Sequence, residues 1–167
     1  WSAEKLYSWG RAAVNIEMRI DSSDPVNVPG EIQIKGANVF LGYYKNEDAT
    51  KEVFTDDGWF RTGDMGVIDE DGCLFIKGRT KCMILGPSGQ NIYPEEVETV
   101  VNSQPYVVDS LVIEDNGGLT ALIYPDFAAG ARDGMNQETF VKYMEGTLPE
   151  LNKELPNYAK LKKIEVM

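Results

Sequence analysis

The sequence predicts an α+β protein, with a β-rich first part followed by a small α+β domain whose open sheet carries helices on one face. Three observations predict it. Apolar and polar residues alternate in several short stretches before residue 80. Two Asp/Asn-Gly turns each sit between apolar runs, Asp69-Glu70-Asp71-Gly72 and Asp115-Asn116-Gly117-Gly118. Helix signals cluster after residue 93, where Pro94 precedes Glu95 and Glu96.

Taken in order, residues 14–20 (VNIEMRI) alternate as a half-buried strand does. The turn-forming stretch DSSDPVNVPG follows, and residues 31–35 alternate again, which predicts a hairpin. A short helix is expected near residues 47–54 and a turn at Asp57-Gly58. MGVIDEDGCLFIKGR reads as a second hairpin, and KCMILG as another apolar run leading into the Gly-rich GPSGQ. The helix from Pro94 carries Val97, Val100 and Val101 as its buried stripe. YVVDSLVIE and LTALIYP then form strand, tight turn and strand. Residues 127–136, rich in Ala and Gly, read as a mobile loop; residues 137–155 read as helix that Pro149 ends or restarts, and LKKIEVM as a strand. A boundary is expected near Gly78–Lys81, which divides the chain into residues 1–79 and 80–167.

Composition narrows the function. With 27 acidic and 16 basic residues the net charge is -11, a poor match to nucleic acid or an anionic membrane. Anionic small molecules stay open, because a few placed cations or backbone N–H groups decide such binding locally. No histidine is present, and two cysteines without it do not make an ordinary zinc site. Cys73 and Cys82 both lie in apolar runs and read as reduced core thiols of a cytoplasmic protein. No apolar run approaches the roughly 20 residues a membrane helix requires. The opening WSAEKLYSWG lacks the apolar stretch of a signal peptide and starts abruptly, as a piece of a longer protein would.

Three segments carry candidate chemistry. In Trp59-Phe60-Arg61-Thr62-Gly63-Asp64, a carboxylate held after a glycine suits the two hydroxyls of a sugar, although alone Gly63-Asp64 reads equally as a plain turn, and Trp59 and Phe60 as core. Gly78-Arg79-Thr80-Lys81 places an arginine fifteen residues on, suited to a ribose or phosphate oxygen, or else it is a solvated basic turn. Gly86 to Glu98 (GPSGQNIYPEEVE) is neither a Walker loop nor a dinucleotide fingerprint. Its glycines admit close backbone approach to a ligand, or simply connect strand to helix. Its glutamates read as helix N-terminal charge.

The ordered combination resembles the adenylate-forming superfamily of acyl- and aryl-CoA ligases, luciferases and peptide-synthetase adenylation domains. It consists of G-W-x-x-T-G-D, a hairpin, G-R-x-K, a Gly loop, then I-x-P-x-E-V-E. Upstream, GEIQIKGANVFLGYYKNEDATKEVF is similar to the segment that precedes these motifs, and GPSGQNIYPEEVE looks most like long-chain fatty acid–CoA ligases.

The resemblance implies two half-reactions. ATP and a carboxylate form an acyl-adenylate, and CoA then takes the acyl group while a small carboxyl-terminal domain rotates. It makes residues 1–79 the end of the large domain and 80–167 the small mobile one. By position, Asp64 and Arg79 would bind ATP and AMP, Lys81 would be the hinge, and Gly89 would line the CoA tunnel. Magnesium ligands, the phosphate loop and the acid pocket are expected upstream, and the adenylation lysine beyond Met167. No catalytic residue is therefore expected within the chain, and the 167 residues by themselves are expected to be inactive. Lys162 and Lys163 are not that lysine. Arg61 stands where relatives often carry His, and Cys82 where an acidic residue is frequent. The implied partners are fatty acid, ATP, CoA and the rest of the enzyme, with no nucleic acid and no indicated membrane. Alternatives are an adenylation domain that loads a carrier protein, and a non-catalytic α+β interaction module. Cutting such a domain is expected to expose apolar surface around Trp1, Trp9 or Tyr43–Tyr44.

Overall fold

A computed structural model describes residues 8–86 and 89–167 and divides the chain into two compact units, Trp1–Lys81 and Cys82–Met167. Each unit has its own sheet.

The first unit is an antiparallel sheet of four strands in sequential order: β1 (Ile16–Asp21), β2 (Gly30–Gly36), β3 (Phe60–Ile68) and β4 (Leu74–Arg79). Alternation sets its two faces. Ile20 opposes Ile32, and Met18 opposes Ile34, so one face is apolar. Glu17 opposes Lys35, Arg19 opposes Gln33, and Asp21 opposes Glu31, so the other is polar. A short helix α1 (Glu47–Val53), capped by the Asn46 side chain on Ala49 N–H, lies between β2 and β3. Around it Phe40, Tyr43, Phe54 and Phe60 stack with ring centroids 5.2–5.7 Å apart. Phe40 and Phe54 of this group line an open groove of about 620 Å³. Leu41, which lines it, is 99% exposed, and elsewhere in the unit Tyr44 and Trp9 are 89% and 74% exposed, so apolar side chains do stand in solvent. Trp1 lies outside the described residues.

The second unit opens with the two-stranded β5 (Ile84–Leu85) and β6 (Asn91–Ile92). Helix α2 (Pro94–Asn102) follows, with Pro94 in its first turn and Glu95 and Glu96 at its positive end. Strands β7 (Val107–Asp115) and β8 (Gly118–Pro125) form a hairpin whose two central residues, Asn116 and Gly117, both have positive φ, the backbone that a two-residue turn requires. After helices α3 (Phe127–Arg132), α4 (Gln137–Gly146) and α5 (Leu148–Glu154), β9 (Leu161–Val166) joins β8 in parallel. The long helical connection is what a parallel pairing demands. Val97, Val101, Val112, Ala121, Ile123, Phe140, Met144, Leu151 and Ile164 form one buried core between helices and sheet.

Three expectations need correction. Residues 127–132 are helix rather than loop. Asp126 accepts the Ala129 N–H at 2.8 Å as a cap, and Gly130 packs so closely that a Cβ there would fall 2.2 Å from the Phe140 ring. Cys82 is exposed, and only Cys73 is a core thiol. Val100 is only partly buried, because the helix turns Val97 and Val101 inward. Pro149 restarts a helix, as it stands in the first turn of α5.

Candidate functional site

The Thr62-Gly63-Asp64 triplet lies inside β3, at an irregularity in the sheet. Gln33 pairs with Arg61 and Glu31 with Met65, so three residues of β3 face the single residue Ile32 of β2. Such a bulge re-aims side chains. Gly63 takes φ +75°, a left-handed conformation that favours glycine, and a Cβ there would meet only Arg79 Nη2 at 3.8 Å. Backbone conformation, rather than space, therefore calls for glycine. Its carbonyl accepts the Thr80 N–H at 2.9 Å.

On its other edge β3 stays paired here, and Asp64 is in register with Arg79 on β4. Arg79 Nε lies 3.1 Å from Asp64 Oδ1, with side chains 64% and 37% exposed. The two residues separated by fifteen positions are thus cross-strand neighbours. An ion pair this exposed is worth only about 0–1 kcal/mol, so a ligand can open it at small cost. The carboxylate can accept hydrogen bonds from adjacent hydroxyls while the guanidinium offers donors and positive charge to an oxyanion.

Thr62 holds the break together. Its hydroxyl donates to the Ile32 carbonyl at 2.8 Å and accepts the Asp64 N–H at 3.1 Å. Arg61 binds Glu31 at 3.0 Å, so its guanidinium has an ionic partner in the sheet. Trp59 is not core: the Arg19 guanidinium lies 4.4 Å from its ring and Lys35 Nζ 5.8 Å. Arg19 also grips both Asp57 oxygens, at 2.7 and 3.1 Å, and donates from Nε to buried Gln33 at 2.7 Å. Hydrogen bonds from Arg19 and Thr55 hold the Asp57 carboxyl down at about 2. Sequence reading missed this network and the Thr62 bridge; the alternation of charged residues in β1 and β2 was its only trace.

Lys81 is exposed in a turn as the last residue of the first unit. Gly89 closes the β5–β6 hairpin with φ +82°, and its N–H reaches the Gly86 carbonyl at 2.9 Å. Gly86, Gly89 and Gln90 thus join β5 to β6 ahead of α2. No described atom lies within 4 Å of a Cβ at Gly89. Pro87 and Ser88 lie outside the described residues.

Glu98 has a structural role. Its Oε1 accepts the Val112 N–H of β7 at 2.8 Å, tying α2 to the sheet. Burial raises its carboxyl pKa, and the Val112 N–H only partly offsets that. Among the described residues no group of three or more His, Cys, Asp or Glu could hold a metal ion, and no helix is long and apolar enough to cross a membrane.

No family model matches the chain. Individual relatives do. It is 41% identical to the 2-succinylbenzoate–CoA ligase of Bacillus cytotoxicus over 112 residues, 65% of this chain and 23% of that protein. It is 45% identical to the long-chain-fatty-acid–CoA ligase FadD15 of Mycobacterium tuberculosis over 86 residues, 52% of this chain and 14% of the other. Among solved structures, the Bacillus subtilis O-succinylbenzoate CoA synthetase with ATP and magnesium superposes with a TM-score of 0.80 at 32% identity, covering 99% of this chain and 33% of that one. ATP-bound MatB from Rhodopseudomonas palustris gives 0.75 at 33%, covering 96% and 32%. The matches thus span about a quarter or less of the curated relatives' length and a third of the solved chains.

Proposed function

We propose that this chain, which belongs in sequence and fold to the adenylate-forming ligases, supplies the sugar-binding edge of the nucleotide site in an ATP-dependent acid–thiol ligase. One observation carries the proposal: Asp64 pairs with Arg79 across the β3–β4 ladder, where Arg79 Nε lies 3.1 Å from Asp64 Oδ1. In this reading Asp64 accepts from the ribose hydroxyls of ATP and then of AMP, and Arg79 donates to a ribose or phosphate oxygen. The acid carboxylate attacks the α-phosphorus of ATP, pyrophosphate leaves, and a mixed anhydride forms. CoA sulfur then attacks the acyl carbon, and AMP leaves with the bond electrons. Magnesium accompanies ATP in the B. subtilis structure, and in this reading its ligands would come from the part of the ligase outside these residues.

Lys81 stands at the division between the two units and is assigned as the hinge on which the second turns between half-reactions. Gly89 is assigned to the path of the CoA thiol, where bare backbone leaves room. CoA rather than a carrier protein is favoured as acceptor, because the named relatives are CoA ligases. GPSGQNIYPEEVE and the 45% identity to FadD15 support a long-chain fatty acid; the longer matches to 2-succinylbenzoate ligases support an aromatic acid instead. A competition assay with both acids decides between them.

The test uses the ligase chain that contains this sequence. Asp64→Ala is expected to raise the KM for ATP by about tenfold or more, the scale of one lost hydrogen-bonding charge. Lys81→Pro is expected to leave pyrophosphate exchange intact and slow thioester formation. Unchanged ATP KM in Asp64→Ala would refute the assignment.

A further inference from the structure

We propose that Thr62 is a positioning residue for Asp64, acting through its hydroxyl rather than by touching substrate; this rests on the reading of Asp64 as the ribose acceptor. The β2–β3 ladder fails over Thr62–Asp64, where three residues face Ile32 alone. Ordinary cross-strand bonds are lost at such a break, and the carbonyls and N–H groups there need other partners. One side-chain oxygen serves both strands. Thr62 Oγ1 donates to Ile32 O at 2.8 Å, and the Asp64 N–H donates to Thr62 Oγ1 at 3.1 Å.

The hydroxyl proton is committed to the carbonyl, so the oxygen's lone pairs face the Asp64 amide and fix its orientation. On the other side the Gly63 carbonyl takes the Thr80 N–H at 2.9 Å. Asp64 is therefore pinned at its own N–H and at the preceding carbonyl, immediately before its side chain meets Arg79. The carboxylate is 37% exposed and its pair with Arg79 is weak, so the side chain alone does not hold this geometry. Backbone pinning does, through Thr62 Oγ1 at the Asp64 N–H and the Thr80 N–H at the Gly63 carbonyl. Loss of the hydroxyl should thus weaken nucleotide binding and leave chemistry at saturating ATP nearly intact, because both hydrogen bonds of the hydroxyl are to backbone, at Ile32 and Asp64.

In the ligase chain that contains this sequence, Thr62→Val keeps shape and removes the hydroxyl, and Thr62→Ser keeps the hydroxyl. Thr62→Val is expected to raise the KM for ATP about tenfold with kcat within threefold of wild type. Thr62→Ser should stay within twofold on both. A Thr62→Val enzyme with wild-type KM overturns the proposal, as does a Thr62→Ser enzyme as impaired as Thr62→Val. If Thr62→Val does not fold, Thr62→Ala decides with the same readout. If neither folds, the hydroxyl holds the strand rather than the carboxylate and the proposal fails. Asp64→Ala run in parallel separates the two ideas. A raised KM there with none in Thr62→Val sinks only the role of Thr62. No rise in either sinks the nucleotide assignment as well.

Discussion

The two units bury themselves very differently. In the second, fourteen buried residues form one cluster under the helices, among them Phe140, Met144 and Leu151. Among the described residues of the first, the buried apolar side chains are Ile20, Ile32 and Cys73, joined by one buried polar residue, Gln33. The candidate nucleotide residues sit in the unit with the thin core. What the difference teaches is that a site can be held by hydrogen bonds across a sheet where apolar burial is scarce, through Thr62 at the bulge and through Arg19 at the turn before β3. Buried polar groups such as Gln33 need hydrogen-bond partners, and here Arg19 supplies one.

The two units can be followed separately, because all three tryptophans lie before residue 82, while most of the helix lies after it. The largest effect is expected for Phe140→Ala. Phe140 is 1% exposed at the centre of the second core, so its loss should destabilise that unit by about 3–5 kcal/mol. The urea midpoint by far-UV circular dichroism should fall while the tryptophan-fluorescence midpoint stays in place; equal shifts in both would break the comparison. Arg19→Ala comes next. It strips the buried Gln33 oxygen of its donor and should lower the fluorescence midpoint by an amount equivalent to about 1–3 kcal/mol.

Two carboxylates sharpen the contrast with opposite pH signs. Asp57, in the first unit, is held at about 2, below its ordinary 3.8, by Arg19 and Thr55. The stability it contributes is present above pH 3.8 and lost as pH falls toward 2. Glu98, in the second, is raised above its ordinary 4.5 by burial. Its contribution is present below pH 4.5 and lost as pH rises through the raised value. Asp57→Asn should flatten the acid limb of the fluorescence transition. Glu98→Gln keeps a carbonyl oxygen for Val112 N–H and should flatten the opposite slope in the circular dichroism transition. Slopes of the same sign would contradict one of the two assignments. The smallest effect is expected for Lys142→Ala. It breaks an exposed pair with Glu138 on α4 and should cost less than about 0.5 kcal/mol.

Much of this was legible in the residues. Period-two alternation marked β1 and β2, Asn116-Gly117 marked the β7–β8 turn, and Pro94 marked the start of α2. The motif order located Asp64 and Arg79. Residues 127–132 were misread because their alanines and glycines carry no apolar period; the helix exists because Asp126 caps it and Phe140 receives Gly130. Cys82 was misread because an apolar run does not say which of its members turns inward.

The sequence by itself determined the element types, since side-chain periodicity, caps and turn residues act over a few neighbours. It also determined which acid and which base stand at motif spacing. Only the tertiary structure decided that Asp64 and Arg79 face each other, that three residues of β3 oppose one of β2, and that a threonine hydroxyl bridges the gap. Register and bulges depend on how strands from distant parts of the chain align, and local preference does not encode that alignment.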